Sequence, residues 1–222
     1  MSPNNKIYIH TAPVRLWHWI NAAGFVILIL TGLQIRYADK LSMIPLRDAV
    51  TIHNYVGFAV IFNYFLWLIY YLGSTKIKIY IPDFRTFVSL ATRQIKYYGY
   101  GIFKGDPNPH TMIPDNKFNA LQQQSYLGIM LFLLPAQMVS GVLLWKVRGY
   151  SEYITILGGI KIIDTIHVLL FFVFSAFLIV HCYLATLGHT PFAHFKAMVT
   201  GYEEDHHELT TDLAGSEISA EP

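Results

Sequence analysis

Polar and apolar positions along this chain segregate into long blocks. Four blocks are apolar enough and long enough to cross a bilayer as helices: Val14 to Leu33, Ile52 to Leu72, Ser125 to Trp145 and Ile162 to Leu187. A helix needs about 20 apolar residues for that purpose. Pro135 and Gln137 lie inside the third block, and a proline is tolerated there when neighbours satisfy the carbonyl it frees. Residues 73–117 form a long connecting segment. Within it, Asp83 after Pro82 predicts a helix start. Phe84, Phe87, Val88, Ala91 and Ile95 then recur at helical spacing, with Arg85, Arg93 and Lys96 elsewhere, which predicts an amphipathic helix on the membrane surface. The following YYGYGIFKGDPNPH predicts a glycine- and proline-broken loop. Lys146 to Lys161 predicts a short connection, and GHTPFAHFKAMVTGY after the fourth block a short interfacial helix. The fold class expected is an all-α membrane protein, a four-transmembrane-helix bundle with additional interfacial helices. Residues 1–202 would form that domain, and 203–222 an acidic, disordered tail.

Composition narrows the class. Hydrophobic residues make up 54% and charged residues 14%, and the mean hydropathy is +0.39. A soluble domain carries about a quarter charged residues. The net charge of +2 comes with no basic patch, so no nucleic-acid partner is expected. The single cysteine, Cys182, excludes an internal disulfide. No Cys-x-x-Cys-His is present, so any haem would be held without thioether links. The N-terminus shows no short apolar core with a small-residue cleavage site, so the first span is expected to act as its own insertion signal. The basic residues set an orientation. Lys6, Arg15, Lys76, Lys78, Arg85, Arg93, Lys96, Lys104, Lys117 and Lys196 fall on one side, against Arg36, Lys40, Arg47, Lys146, Arg148 and Lys161 on the other. Ten against six predicts that both termini are cytoplasmic.

Histidines change the picture most. An ionisable side chain inside a span is costly, so it faces the bundle interior and has a task. The fourth span carries His167 and His181. Fourteen residues return to within about 40° of the starting face and rise about 21 Å, so both rings project from nearly one side at two depths. His18 opens the first span and His53 the second. Consecutive spans run in opposite directions, so His18 shares a depth with His181, and His53 with His167. Each pair could supply two axial imidazoles to one haem iron. Gly24, Gly57 and Gly141 are small residues where a flat macrocycle could approach a helix. Zinc is a rival, but it takes four ligands at one point. A proton relay would call for carboxylates, and only Asp164 lies near a span. Any single histidine could be a packing residue. His10 and His110 read as solvated, His189 and His194 as interfacial packing with a quinone role as the alternative, and His206 and His207 as part of the tail.

These pieces resemble a family, the four-helix dihaem cytochrome b subunits of membrane-bound bacterial respiratory enzymes, which implies a place in the bacterial inner membrane. The matching stretches are RLWHW with His18, IHNYVGFAV with His53 and Gly57, KFNALQQ before the third span, SGVLLW at its end, and IHVLLFFVFSAFLIVHCYLA with His167 and His181. The likeness runs from about Pro13 to Tyr202. It is nearest to the gamma subunit of respiratory formate dehydrogenase, with relatives in thiosulfate reductases and nickel–iron hydrogenases. The resemblance implies two b haems, His18 with His181 and His53 with His167. It also implies a quinone site (menaquinone or ubiquinone) formed by the positions of Asn119, Gln122 and His181. The implied partners are an iron–sulfur subunit and a catalytic subunit of molybdenum, tungsten or nickel–iron type. The chain itself would be the anchor and electron conduit and would carry no residue catalytic on the external substrate. Two alternatives stay open: a nickel–iron hydrogenase cytochrome b, and a haem-free membrane scaffold or transporter.

Overall fold

The computed structural model describes residues 6–74, 80–81, 83, 85–110, 118–187, 190 and 192–204. Four long helices dominate: α1 (Ala12–Arg36), α2 (Leu46–Gly73), α4 (Ala120–Trp145) and α6 (Ile160–Ala185). α1, α2 and α4 exceed the apolar blocks that predicted them, because polar turns at the membrane surface continue the helical hydrogen-bond ladder, whereas α6 starts and ends two residues before its block. Between them lie α3 (Phe87–Lys96) and the short α5 (Ser151–Ile156), and α7 (Ala193–Thr200) follows α6. A strand at each end, β1 (Lys6–Tyr8) and β2 (Tyr202–Glu204), forms an antiparallel pair. Four spans and this pairing put both ends of the described chain on one face, called here the terminal face; the other is the far face.

The helices assemble as two pairs, α1 with α2 and α4 with α6. Gly24 explains the first: a Cβ there would sit 2.6 Å from Val60 Cγ2, so only hydrogen allows this crossing. Gly24 therefore brings helix to helix and does not face a macrocycle. Asn63 of α2 donates to the Trp17 carbonyl of α1 at 3.1 Å, tying the same two helices, and Asn21, on α1 itself, donates to that carbonyl at 3.0 Å. The α1–α2 connection is held by buried Gln34, whose carboxamide donates to the Ile44 carbonyl and accepts from its N–H.

Pro135 shapes α4. The helix widens to π geometry over Ile129–Leu133, just before the proline. In that register the Met130 carbonyl would look to the nitrogen of Pro135, which carries no hydrogen. Tyr64 supplies the missing donor: its hydroxyl reaches Met130 O at 3.0 Å. Tyr64 belongs to an aromatic core with Trp67, Tyr71, Tyr80, Met130, Leu134 and Phe174.

Four local expectations need correction. The surface helix starts at Phe87, although Asp83 still opens its first turn by accepting from Arg85 N–H and the Thr86 hydroxyl at 3.0 and 3.2 Å. Phe84 lies outside the described residues. YYGYGIFK is not a loop: it continues α3 as a π turn over Tyr97–Gly101 and a last turn over Ile102–Lys104, ended by Gly105 at φ 79°. Helical hydrogen bonds outlast the glycines because a helix already stands on their N-terminal side to extend. The connection 146–161 contains α5. Glu203 and Glu204, assigned to the tail, are strand residues opposite Ile7 and Lys6; residues 205–222 lie outside the described residues.

Candidate functional site

The bundle brings four histidines together two by two. His18 and His181 have ring centroids 6.1 Å apart, and His53 and His167 6.4 Å apart. The first pair lies toward the terminal face and the second toward the far face. Metal–imidazole bonds of about 2 Å on each side, plus about 1.2 Å from each nitrogen to its ring centre, give roughly 6.4 Å. Both pairs are therefore spaced for one ion between two rings. Among the described residues, no group of three or more His, Cys, Asp or Glu side chains could hold a metal ion. Two imidazoles alone would suffice to hold a macrocyclic iron, which brings its other four donors with it.

At the far pair, hydroxyls decide which nitrogen is free. Thr31 on α1 donates to Ile27 O at 2.7 Å, so its oxygen accepts from His53 Nδ1–H at 2.9 Å. Ser140 on α4 donates to Gln137 O at 3.0 Å and accepts from His167 Nδ1–H at 2.9 Å. In both rings the proton rests on Nδ1 and the lone pair on Nε2, the form a metal requires. Gln137 Nε2 lies 3.3 Å from His167 Nε2, the geometry of an amide donor facing a lone pair, in the place an iron would take.

The rings border a cavity of about 500 Å³ with mostly apolar walls. Gly32, Gly57, Gly141 and Arg36 line it along with the two histidines. A Cβ on Gly32 would stand 3.3 Å from His53 Cε1, and one on Gly141 3.1 Å from His167 Cε1, so both glycines make room for an imidazole. Sequence reasoning gave Gly57 and Gly141 but missed Gly32. Phe174 lies seven residues from each histidine of α6, buried between the two levels with Phe25 edge-on at 5.4 Å. Arg36 pairs with Asp164 at 3.8 Å on the cavity wall.

The terminal pair is set in aromatics. His181 stacks on Phe177 at 5.6 Å and 21°, and Trp19 packs edge-on to His18 at 5.2 Å. His18 Nδ1 is buried without a hydrogen-bond partner among the described residues. The end of the chain closes over this region. Trp19 Nε1–H donates to Met198 O at 3.1 Å, and the Arg15 guanidinium to Val199 O. These are carbonyls of the last turn of α7, where a helix lacks partners of its own. Gly201, at φ 92°, turns the chain into β2 and accepts from Ile9 N–H and His10 N–H at 2.9 and 3.2 Å. His194 faces Glu203 at 3.2 Å. His189 lies outside the described residues.

Asn119 and Gln122 open α4 as a reciprocal cap. Asn119 Oδ1 accepts from Gln122 N–H and Gln122 Oε1 accepts from Asn119 N–H, each at 3.0 Å. Asn119 Nδ2 also donates to the Tyr98 hydroxyl at 3.1 Å. Burial raises the Tyr98 phenol above its ordinary range, so the hydroxyl stays protonated and can donate onward. Rings lead from this cap toward the terminal pair: Phe118 to Tyr126 at 5.0 Å, Tyr126 to Phe177 at 6.5 Å, and Phe177 to His181.

A four-span bundle with opposed imidazoles inside it, beside an apolar cavity, defines a membrane cytochrome of the b type. Its cofactor is b-type haem and its work is electron transfer. The chain belongs to the prokaryotic cytochrome b561 family, whose model matches residues 9–201. A putative cytochrome, YdhU, of Escherichia coli K12 is 31% identical over 89% of this chain and 74% of its own. A probable Ni/Fe-hydrogenase B-type cytochrome subunit of Cupriavidus necator is 26% identical over 80% of this chain and 78% of its own. The cytochrome b556 subunit of formate dehydrogenase from Haemophilus influenzae is 23% identical over 83% and 73%.

Proposed function

We propose that this chain holds two b haems, one between His18 and His181 and one between His53 and His167, and relays electrons through them across the membrane. The observation that carries the reading is the spacing of the two imidazole pairs, 6.1 and 6.4 Å, at two depths of one bundle. Bound between the rings, haem supplies a reversible one-electron carrier. The chain's own residues fix the imidazoles, keep water from the apolar cavity and set the level of each iron.

An iron–sulfur subunit with its catalytic subunit would dock on the far face. Relatives named as subunits of a hydrogenase and of a formate dehydrogenase support such a partner. The terminal face would be cytoplasmic, as the basic residues indicate, and would hold the quinone site near His181 and the start of α4. In that site Gln122 offers its free carboxamide N–H, while the Asn119 side chain holds the cap and Tyr98. Quinone reduction there would take protons from the cytoplasm, so turnover with an external donor would build a membrane potential. The hydrogenase-type reading differs only in the catalytic partner, which mass spectrometry of the intact complex identifies.

Purified protein tests the central reading. Dithionite reduction should give a b-type absorption spectrum, and pyridine haemochrome analysis two haems per chain. A protein that folds and purifies without haem would end the proposal and favour a scaffold.

A further inference from the structure

The two imidazole pairs match in spacing and differ in what holds their outer nitrogens. At the far pair each Nδ1–H has a hydroxyl acceptor at 2.9 Å. Each hydroxyl in turn donates to a helix carbonyl, Thr31 to Ile27 O at 2.7 Å and Ser140 to Gln137 O at 3.0 Å. A hydroxyl whose own hydrogen is engaged in this way is polarised and accepts more strongly. At the terminal pair, His18 Nδ1 has no partner among the described residues and His181 lies on an apolar ring.

A hydrogen bond at Nδ1 moves electron density into the ring and raises the basicity of Nε2. A more basic axial ligand stabilises ferric over ferrous iron and lowers the reduction potential. We infer that Thr31 and Ser140 are positioning residues that lock His53 and His167 as Nδ1–H tautomers and make the iron between them the harder of the two to reduce. The inference rests on the two-haem reading. Its consequence is direction: with both haems bound, one electron would pass from the far iron, ferrous to ferric, to the terminal iron, ferric to ferrous, with no proton transferred. Electrons entering at the far face therefore run downhill toward the chain termini.

One feature of the far site opposes this ordering. Arg36 is a cation on its wall and favours the reduced form. Asp164 balances it at 3.8 Å, and both side chains are about half exposed, so solvent screens what remains. The hydroxyls act on the ligands themselves, without intervening solvent, and prevail.

The test is a spectroscopic redox titration of full-length protein in detergent. The samples are the wild type, Thr31→Val, Ser140→Ala, the double variant and Thr31→Ser. A His18→Ala protein keeps only the far haem and assigns the waves. The wild type should show two waves, the lower belonging to the far haem. Each hydroxyl removed should shift that wave upward by about a tenfold change in the equilibrium between the haems, about 59 mV for one electron. Thr31→Ser should keep the wild-type value, and the upper wave should not move. Loss of the far haem in Thr31→Val with retention in Thr31→Ser also upholds the hydroxyl's role. The inference is overturned if the lower wave belongs to His18 and His181, if the far wave stays in place or both waves move together, or if Thr31→Ser loses the haem as well. A wild-type count other than two haems, read separately by haemochrome, removes the two-haem reading itself and this inference with it.

Discussion

The far and terminal ends of the bundle solve one problem by different means. Each must hold two imidazoles about 6 Å apart. The far end does so with polar contacts and empty space: two hydroxyls on Nδ1, glycines against both rings and a cavity between the helices. The terminal end does so with bulk. Trp19 and Phe177 wedge the rings, and α7 with the paired strands closes over this end. Hydrogen bonds fix a tautomer and tune a ligand; aromatic packing fixes position alone. Two sites with the same donor set can thus differ in electronics.

The largest test of this division removes a ligand. His53→Ala or His167→Ala should abolish the far haem and leave the terminal one, halving the haem per chain; His18→Ala or His181→Ala should do the converse. Absorption spectra of the four variants check it. If His18→Ala and His53→Ala removed the same haem, the pairing would be wrong.

Crowding comes next. A branched side chain at position 141 would overlap the His167 ring, since even a Cβ lies 3.1 Å from it. Gly141→Leu should empty the far site while the helical circular dichroism and the terminal haem persist. A full complement of haem in that variant would show that the ring can retreat and that the glycine is dispensable.

At the terminal end the expected losses are of stability. Tyr64→Phe leaves the Met130 carbonyl buried without its donor and should cost about 1–3 kcal/mol, read as a lowered Tm with both haems still bound. An unchanged Tm would mean that the π turn needs no outside donor. The smallest effect separates the cap from quinone chemistry. Asn119→Ala should cost about 1 kcal/mol of stability through the lost cap. Gln122→Glu keeps the acceptor that reaches back to Asn119 N–H and removes only the free amide donor, so the fold should hold while quinone turnover falls several-fold. Full turnover in Gln122→Glu would move the quinone site away from this residue.

The spans were legible because a bilayer imposes length and hydropathy on each segment separately. The depth of each histidine followed as well, since a helix of fixed rise crossing a fixed thickness converts residue number into height. That is why two neighbouring pairs could be named before any contact was known. The roles of individual glycines were not legible. Gly24 packs against Val60 while Gly32 faces His53, a difference that depends on which neighbour stands opposite. The amides of KFNALQQ pointed to a ligand site with a cap as the alternative; local geometry makes them a cap, and the Gln122 carboxamide N–H, with no acceptor among the described residues, keeps the other role open.

By itself, then, the sequence determined the four spans, their alternating direction and the heights at which imidazoles stand, because each follows from properties local to one helix. The tertiary structure decided everything that depends on two segments meeting. Thr31 and Ser140 are ordinary hydroxyls until α1 and α4 bring them 2.9 Å from His53 and His167. Lys6–Tyr8 is too short to declare itself a strand, and becomes one only because Tyr202–Glu204, at the other end of the described chain, supplies its hydrogen-bond partners. A hydrogen bond between distant residues leaves no periodic trace in either segment, so the features that distinguish the two sites electronically are the ones the amino-acid order could not announce.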